Sequence, residues 1–296
     1  MKKKALLAAF VATMLWSGSY VVNKIAFACG IGPFTLSGVR YGLAALLLFC
    51  VLPKGKNENA LSLWQVILLA SVCYVLGQGF QYLGQSRLTP TVASLVLNLG
   101  MILFIVLADF FKLKENKNAS LLWWVGLLAI AILFFDEPWK VERASLSWLG
   151  IFSMLLAAFG SAMNIVFNRY FLKEKGVGQR QLMVKPMLLG GGMMLLIGVI
   201  SEPLPTFSLP LLLCVAYLAG LSGALGFFLW TWSQKTLTSV QNGCINHLML
   251  VEIAALDMLL FGRELDFWQW FGIGLTVVSL WGVVMTKEKR ITQRKK

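Results

Sequence analysis

Charged residues are scarce in this chain. They make up 13% of its 296 residues, against 58% for hydrophobic residues. Because a soluble domain carries about 25% charged residues, this composition excludes an ordinary water-exposed globule. The single histidine excludes a site built from several histidines, and none of the five cysteines belongs to a C-x-x-C pair. Neither a zinc site nor a disulfide framework is indicated, and we expect the cysteines to be buried free thiols.

Sequence patterns of common enzyme classes are also missing. The chain has no H-E-x-x-H, no G-x-S-x-G, no P-loop and no aspartate-rich metal motif. An enzyme needs a nucleophile or general base that is aligned with its partners. The lack of a nucleotide-binding motif argues against an ATP-driven pump. We therefore predict that the chain is not an enzyme and that it uses neither a metal nor another cofactor.

Long apolar runs are what the sequence has instead. A membrane-spanning helix needs about 20 mostly apolar residues, and glycines and prolines separate the runs. The basic start and the run after it resemble a signal peptide, but that run exceeds the roughly 7–15 residues of a signal core. We predict ten spans, at 5–27, 33–52, 63–85, 90–111, 119–135, 148–171, 180–200, 209–233, 238–261 and 268–286.

Lysine and arginine are unevenly divided between alternate loops. Eighteen lie on the side of the N-terminus, four lie on the opposite side, and the other four lie inside spans. Since cytoplasmic loops carry the excess, we predict a bacterial inner-membrane protein with both termini in the cytoplasm. The net charge of +13 falls in short tracts between spans, so nucleic acid is not an expected partner. We expect the loop at 136–138 and the basic tail at 287–296 to be solvated.

Short strings of the first half recur in the second half, 145 to 149 residues later. They are Asn23-Lys24 with Asn168-Arg169, Arg40 with Lys185, Gln85 with Gln234, and Thr89 with Thr238. A repeat with an odd number of spans inserts its second copy upside down. We predict an all-α integral membrane protein with ten transmembrane helices in two inverted five-helix repeats around a central cavity. The repeats are 5–135 and 148–286, with an extracytoplasmic linker at 136–147 and a cytoplasmic tail at 287–296.

The stretch Leu15–Tyr20, followed by Lys24 and by Arg40 in the next span, resembles the start of the EamA-type repeat of the drug/metabolite transporter (DMT) superfamily. The stretch Phe261–Leu265 after the ninth span resembles it too. The resemblance covers essentially the whole chain. It implies that spans 1–4 and 6–9 surround a cavity and that the protein exports metabolites. Members often have a proline midway along the fourth span, where Asn98–Met101 stands here.

Ionisable residues inside the spans are candidates for function, because a buried charge is costly unless a partner offsets the cost. We hypothesise an outer and a cytoplasmic charge network that open and close in turn as gates. The alternative is that each charge only reaches toward its nearest membrane interface. The outer set is Lys24, Arg40, Glu252 and Asp257, and the cytoplasmic set is Asp109, Arg169 and Lys185.

Polar and aromatic residues inside the spans are candidates for the cavity wall. Gln78, Gln81 and Tyr82 share one helical face by their spacing. His247 is either a wall residue or a proton carrier, and each tryptophan is either a stacking surface for substrate or an ordinary packing residue. The candidate wall residues are Trp16, Gln78, Gln81, Tyr82, Asn98, Asn164, Trp230, Asn246 and His247.

Two functions follow from these patterns. The first is a secondary transporter that exports amino acids, related amphipathic metabolites or drugs by alternating access. The alternative is an integral membrane enzyme that acts on a lipid or isoprenoid phosphate, with Arg40 and Lys185 as phosphate clamps. The expected partners are a small-molecule substrate and the lipid bilayer. Protons are a candidate coupling ion, and a second copy of the chain is a candidate dimer partner.

Overall fold

Helices form almost all of the described structure. The computed structural model describes residues 2–53, 59–108, 119–141, 146–203, 205–262 and 264–286. Within these ranges there is no strand, only an isolated bridge between Asn59 and Val177. The helices are α1 Lys2–Ala28, α2 Pro33–Val51, α3 Leu63–Gln85, α4 Pro90–Ala108, α5 Ala119–Asp136, α6 Trp148–Lys173, α7 Gln179–Ser201, α8 Leu209–Ser233, α9 Ser239–Asn246, α10 Leu248–Phe261 and α11 Phe267–Met285.

Eight helices of the described ranges are long and apolar enough to cross a membrane, namely α1, α2, α3, α5, α6, α7, α8 and α11. The apolar part of α4 is shorter, at Val92–Ala108. The predicted span at 238–261 is divided at His247 into α9 and α10. The chain is therefore an all-helical, multi-pass membrane protein.

Local sequence sets where several helices begin. Ser62, Thr238 and Asp266 each form a capping box at the start of α3, α9 and α11. The start of α2 is capped from a distance, because the Glu202 carboxylate at the end of α7 accepts from the Phe34 and Thr35 backbone N–H groups, both at 2.8 Å. A carboxylate is favourable there because it satisfies free N–H groups and faces the positive end of the helix dipole.

Two helices contain π-helical segments that the sequence patterns did not predict. They are Ala70–Gly79 in α3 and Tyr217–Leu225 in α8. Well under 1% of residues in soluble proteins are π-helical, and such segments are frequent at functional sites. The segment in α3 meets α6 so closely that a Cβ atom on Gly160 would lie 2.3 Å from the backbone nitrogen of Gly77.

The helices pack across the two halves of the chain. α2 packs against α7, α5 against α11, α6 against α3 and α4, and α1 against α8 and α10. The Lys2 ammonium donates to the Val284 carbonyl at 2.9 Å, so α1 begins at the end of the bundle where α11 finishes. We call this the Lys2 end. The opposite end, where α1, α3 and α5 finish and α11 begins, is the Lys24 end.

Candidate functional site

A cavity of about 210 Å³ with a mixed polar and apolar lining lies between the helices. It extends from the middle of the bundle, at Asn98 and Asn164, to the Lys24 end. Lys24, Asp136 and Gln269 line its outer part. Its size and mixed polar and aromatic lining suit a small molecule with both polar and apolar parts.

Most of the predicted wall residues meet in this cavity. The predicted site residues that line it are Trp16, Lys24, Arg40, Gln78, Gln81, Tyr82, Asn98, Asn164, Trp230 and Asn246. Arg169, Lys185, His247 and Glu252 lie elsewhere. Asp109 lies outside the described residues, and so does the side chain of Asp257.

Arg40 is the most constrained cation of the cavity. It is only 4% exposed, and its guanidinium donates to the Tyr82 hydroxyl and, at 2.7 Å, to the Ser222 hydroxyl. It also lies 5.1 Å from the centre of the Tyr41 ring. These partners are neutral, and Nε has no hydrogen-bond partner among the described residues. A buried guanidinium with spare donor capacity favours an incoming anion.

An aromatic wall stands beside this arginine. The Trp16 ring lies 5.0 Å from the Phe227 ring and 5.1 Å from the Trp230 ring. The Trp16 indole N–H donates to the Ser222 carbonyl at 2.9 Å. Ser222 lies in the π-helical segment of α8 and therefore connects the aromatic wall to Arg40. The sequence analysis did not identify Ser222, because one serine among small residues gives no distinct signal.

Glu252 is held by hydroxyl groups rather than by a cation. Its two carboxylate oxygens contact the hydroxyls of Thr13 at 2.9 Å and Ser17 at 2.7 Å, both on α1. In the described part of the chain, neither Lys24 nor Arg40 forms an ion pair with Glu252. The hypothesised pairing of Lys24 or Arg40 with Glu252 is therefore not made in this structure, and the gating role of these groups stays a prediction.

A hydrogen-bonded layer closes the bundle below the cavity, toward the Lys2 end. Arg169, which is 3% exposed, donates to the Gln234 carbonyl at 2.7 Å. The Ser233 hydroxyl and the Asn242 side chain contact each other within 3.2–3.5 Å. All four residues and the neighbouring capping-box residue Thr238 are buried. We call this set the Arg169 layer.

Lys185 does not join the Arg169 layer. Its side chain is exposed on α7, beside apolar residues at the bundle surface. Gly32 and Gly178 are the residues that precede α2 and α7, and they are 146 positions apart. Counted from these helix starts, the position that matches Arg40 is Pro186 rather than Lys185. Since one residue turns a helix by about 100°, this shift rotates Lys185 out of the bundle.

A model of the EamA-like transporter family matches residues 3–135 and 148–285. The chain belongs to this family. It thereby belongs to the DMT superfamily. It is 25% identical over 311 residues to the uncharacterized transporter sll0355 of Synechocystis sp., with 95% of this chain and 89% of that protein covered. A crystal structure of a protein that is 16% identical shares the fold, with a TM-score of 0.76 and 97% of both chains covered. Family and relative point to a membrane transporter rather than an enzyme.

The loop at 136–138 was expected to be solvated, but its two acidic residues are buried. Asp136 is 5% exposed and lines the cavity at the end of α5, and Glu137 is 6% exposed. The backbone turns at Glu137 with a left-handed φ of 46°, and Pro138 begins a short 3₁₀ turn. This turn leaves Asp136 on the last helical position, inside the bundle. The expectation of a solvated 136–138 loop is thus wrong for both acids.

Lys140 connects the end of the α5 region to the start of α11. It pairs with Glu137 at 2.7 Å and also with Asp266. The hydrogen bond from Lys140 and the backbone N–H of Gln269 lower the pKa of Asp266 to about 2. Asp266 lies just before α11, at the rim of the Lys24 end.

His247 is fully buried at the break between α9 and α10 but is not a cavity-lining residue. Its neighbour Asn246 lines the cavity instead. The helix break explains this placement, because it interrupts the helical spacing on which the sequence prediction relied. A role of His247 in proton transfer stays a prediction.

Proposed function

We propose that this protein is a secondary transporter that exports a small amphipathic metabolite, such as an amino acid, by alternating access. The single observation that carries the proposal is the cavity. It has a mixed polar and apolar lining, contains a buried Arg40 with an unused donor, reaches the Lys24 end, and is separated from the Lys2 end by the Arg169 layer. A drug of similar chemistry would fit the same wall.

In this proposal Arg40 and the aromatic wall bind different parts of the substrate. A substrate carboxylate binds the Arg40 guanidinium through charge-assisted hydrogen bonds. The apolar part of the substrate stacks on Trp16 and Trp230, which lie 5.1 Å apart. Because Arg40 also holds Tyr82 and Ser222, binding at the guanidinium competes with bonds that join α2 to α3 and α8. This competition supplies a route from substrate binding to helix movement.

The packing supports two inverted five-helix repeats, 5–135 and 148–286. α2 packs on α7 and α5 on α11, as expected for equivalent helices across a pseudo-two-fold axis. A π-helical segment occurs in the third span of each half. With both termini in the cytoplasm of a bacterial inner membrane, as the lysine and arginine distribution indicates, the Lys24 end faces outward. The cavity is then open to the outside.

Proton coupling is the role we propose for Glu252. The hydroxyls of Thr13 and Ser17 also lie 2.8 Å and 2.9 Å from the carbonyls of Phe10 and Thr13. An ionised Glu252 accepts from both hydroxyls. A protonated Glu252 donates to one of them, and that hydroxyl then donates to its carbonyl. Since the hydrogen bonds are satisfied in either state, the site suits reversible protonation.

The test is transport into proteoliposomes, screened over labelled amino acids and cationic drugs, with and without a pH gradient. We expect saturable transport of one class and its loss in Arg40→Gln. The matched control is Arg180→Gln, because Arg180 lies outside the cavity and binds the Phe49 carbonyl at 3.0 Å. Full activity in folded Arg40→Gln would contradict the recognition role. No transport of any compound by folded wild-type protein would count against the transporter proposal for these substrates.

Glu252→Gln separates coupling from recognition. We expect this variant to lose the response to the pH gradient while it retains substrate exchange between the two sides of the vesicle. Exchange serves as the internal control, because it needs the cavity and the conformational change but no net proton movement. A variant that still accumulates substrate against its gradient would rule out Glu252 as the coupling group.

A further inference from the structure

A groove on the bundle surface, separate from the cavity, lies between α7 and the start of α3. One stripe of α7 forms its floor, and Leu61, Leu63 and Val66 form the other wall. All of its lining residues except Lys185 are apolar or glycine. The stripe follows the spacing of one helical face. It consists of Lys185, Leu188, Leu189, Gly192, Met193 and Leu196.

Lys185 is an unusual residue for such a surface. It is exposed, and it lies six residues after Gln179, or roughly 9 Å along the helix axis at 1.5 Å per residue. It forms no ion pair with a carboxylate among the described residues. An ammonium group on a lipid-facing helix is costly unless an anion accompanies it or the side chain extends to the interface. The natural counter-ion at this position is a lipid phosphate.

The groove has room for an acyl chain beyond that charge. A Cβ atom on Gly192 would meet no atom within 4 Å, so the floor is open at this point. Leu188 is 45% and Leu196 is 63% exposed on either side of it. From Lys185 to Leu196 the stripe is roughly 16 Å long at 1.5 Å per residue. This is close to half of the approximately 30 Å hydrocarbon core, the depth of one leaflet.

Positive charge is concentrated at the same end of the bundle. α7 begins at the Lys2 end, where Arg180 is anchored on the last turn of α2 by its bond to Phe49 and by a position 4.6 Å from that ring. Lys173 and Lys175 precede α7 with Glu174 between them, and the sequence between α2 and α3 contains Lys54, Lys56 and Glu58, so each segment has a net positive charge. Clusters of this kind attract anionic headgroups.

We propose that this groove binds one anionic phospholipid. The phosphate lies on the Lys185 ammonium, and one acyl chain follows the trough over Gly192 toward Leu196. The site does not depend on what the cavity transports. It gives Lys185, which faces away from the bundle core, a role that the gate hypothesis does not supply. It also explains why an apolar helix face carries a lysine that pairs with no carboxylate of the described residues.

Native mass spectrometry of the purified protein in neutral detergent tests this site. The probes are phosphatidylglycerol and phosphatidylcholine with the same acyl chains. We expect wild-type protein to bind phosphatidylglycerol about fivefold more tightly, the effect of one basic residue near a headgroup. Lys185→Gln should bind both lipids equally, whereas Lys185→Arg should keep the preference. Equal affinities in wild type, or an unchanged preference in Lys185→Gln, would overturn the proposal.

Groove-filling variants test the acyl-chain trough. Gly192→Leu fills the trough and should weaken binding of both lipids. Gly126→Leu is the matched control, because Gly126 on α5 is also exposed with open space at its Cβ position. It should bind like wild type. If the two variants behave alike, the trough does not hold the chain. Glycerol phosphate, which has no chain, should not compete, and competition by it would reduce the site to a simple anion contact.

Discussion

Two corners of the molecule share a glutamine, a leucine and a threonine at matching positions but have opposite surroundings. At the α3–α4 corner the Thr89 hydroxyl accepts from the Val92 N–H at 3.5 Å, and at the α8–α9 corner Thr238 accepts from Gln241 at 3.2 Å. Yet Gln85 lines the open cavity and Thr89 is exposed, whereas Gln234 and Thr238 are 0% and 1% exposed.

This difference shows that the local sequence determines the threonine cap at each helix start. The conformation of the whole bundle determines how exposed that corner is to solvent. Both corners use a threonine to satisfy the free N–H groups that begin a helix. What differs is the end of the molecule at which each corner lies, because the Lys24 end is open and the Lys2 end is closed by the Arg169 layer. In the proposed alternating cycle the two corners would exchange these surroundings.

The largest expected effect is a difference in chemical accessibility between the corners. In a background with the five native cysteines replaced, we expect Gln85→Cys to react with a water-soluble maleimide on the order of 100-fold faster than Gln234→Cys. The reason is that Gln234 is reached only through a minor state a few kcal/mol higher in energy, populated at about 1%. The rates are measured by gel shift in detergent. As a control, both variants must react at the same rate after unfolding. Equal rates in the folded protein would contradict the difference in accessibility between the two corners.

A second test compares the rigidity of two close helix contacts, α3–α6 and α1–α8. A Cβ atom on Gly160 would lie 2.3 Å and 2.4 Å from backbone atoms of α3, whereas one on Gly18 would lie 2.4 Å from the Tyr217 hydroxyl, which can move. We expect Gly160→Ala to lower the free energy of unfolding by about 3 kcal/mol and Gly18→Ala by about 1 kcal/mol.

Thermal unfolding in detergent measures this difference. Gly126→Ala is the control, because its Cβ position is open, and its stability should match wild type within about 0.5 kcal/mol. Equal losses for Gly160→Ala and Gly18→Ala would mean that the α1–α8 contact is as rigid as the α3–α6 contact. The contrast between the two regions would then be limited to the solvent exposure of the α3–α4 and α8–α9 corners.

The membrane class and most of the helix positions could be predicted from the sequence, because apolar length alone decides whether a segment crosses a bilayer. The π-helical segments could not be predicted in this way. They depend on how closely another helix approaches, as at Gly77 and Gly160, and composition does not report that approach. The break at His247 likewise has no glycine or proline at that position.

More of the candidate wall residues than of the candidate charged residues line the cavity. Short polar side chains such as Gln78 and Asn164 cannot reach a membrane interface from the middle of an apolar span, so they face the interior of the bundle. A lysine can instead reach toward an interface from an outward face. Lys185 lies on such an exposed face of α7, whereas the sequence comparison matched it with the buried Arg40. Asp136 was missed because its inward position depends on the left-handed turn at Glu137.

The smallest expected effect concerns the rim of the Lys24 end, where Lys140 pairs with Asp266. The pKa of Asp266 is lowered from 3.8 to about 2, so its contribution to stability is present above pH 4 and is lost as the pH falls toward 2. Asp266→Asn removes the charge but keeps a good N-cap for α11. We expect thermal unfolding of the variant to depend less on pH than wild type between about 4 and 2, by a small margin because the pair is exposed. If the two proteins follow the same pH curve, the rim pair contributes nothing, and the difference between the ends lies in the Arg169 layer alone.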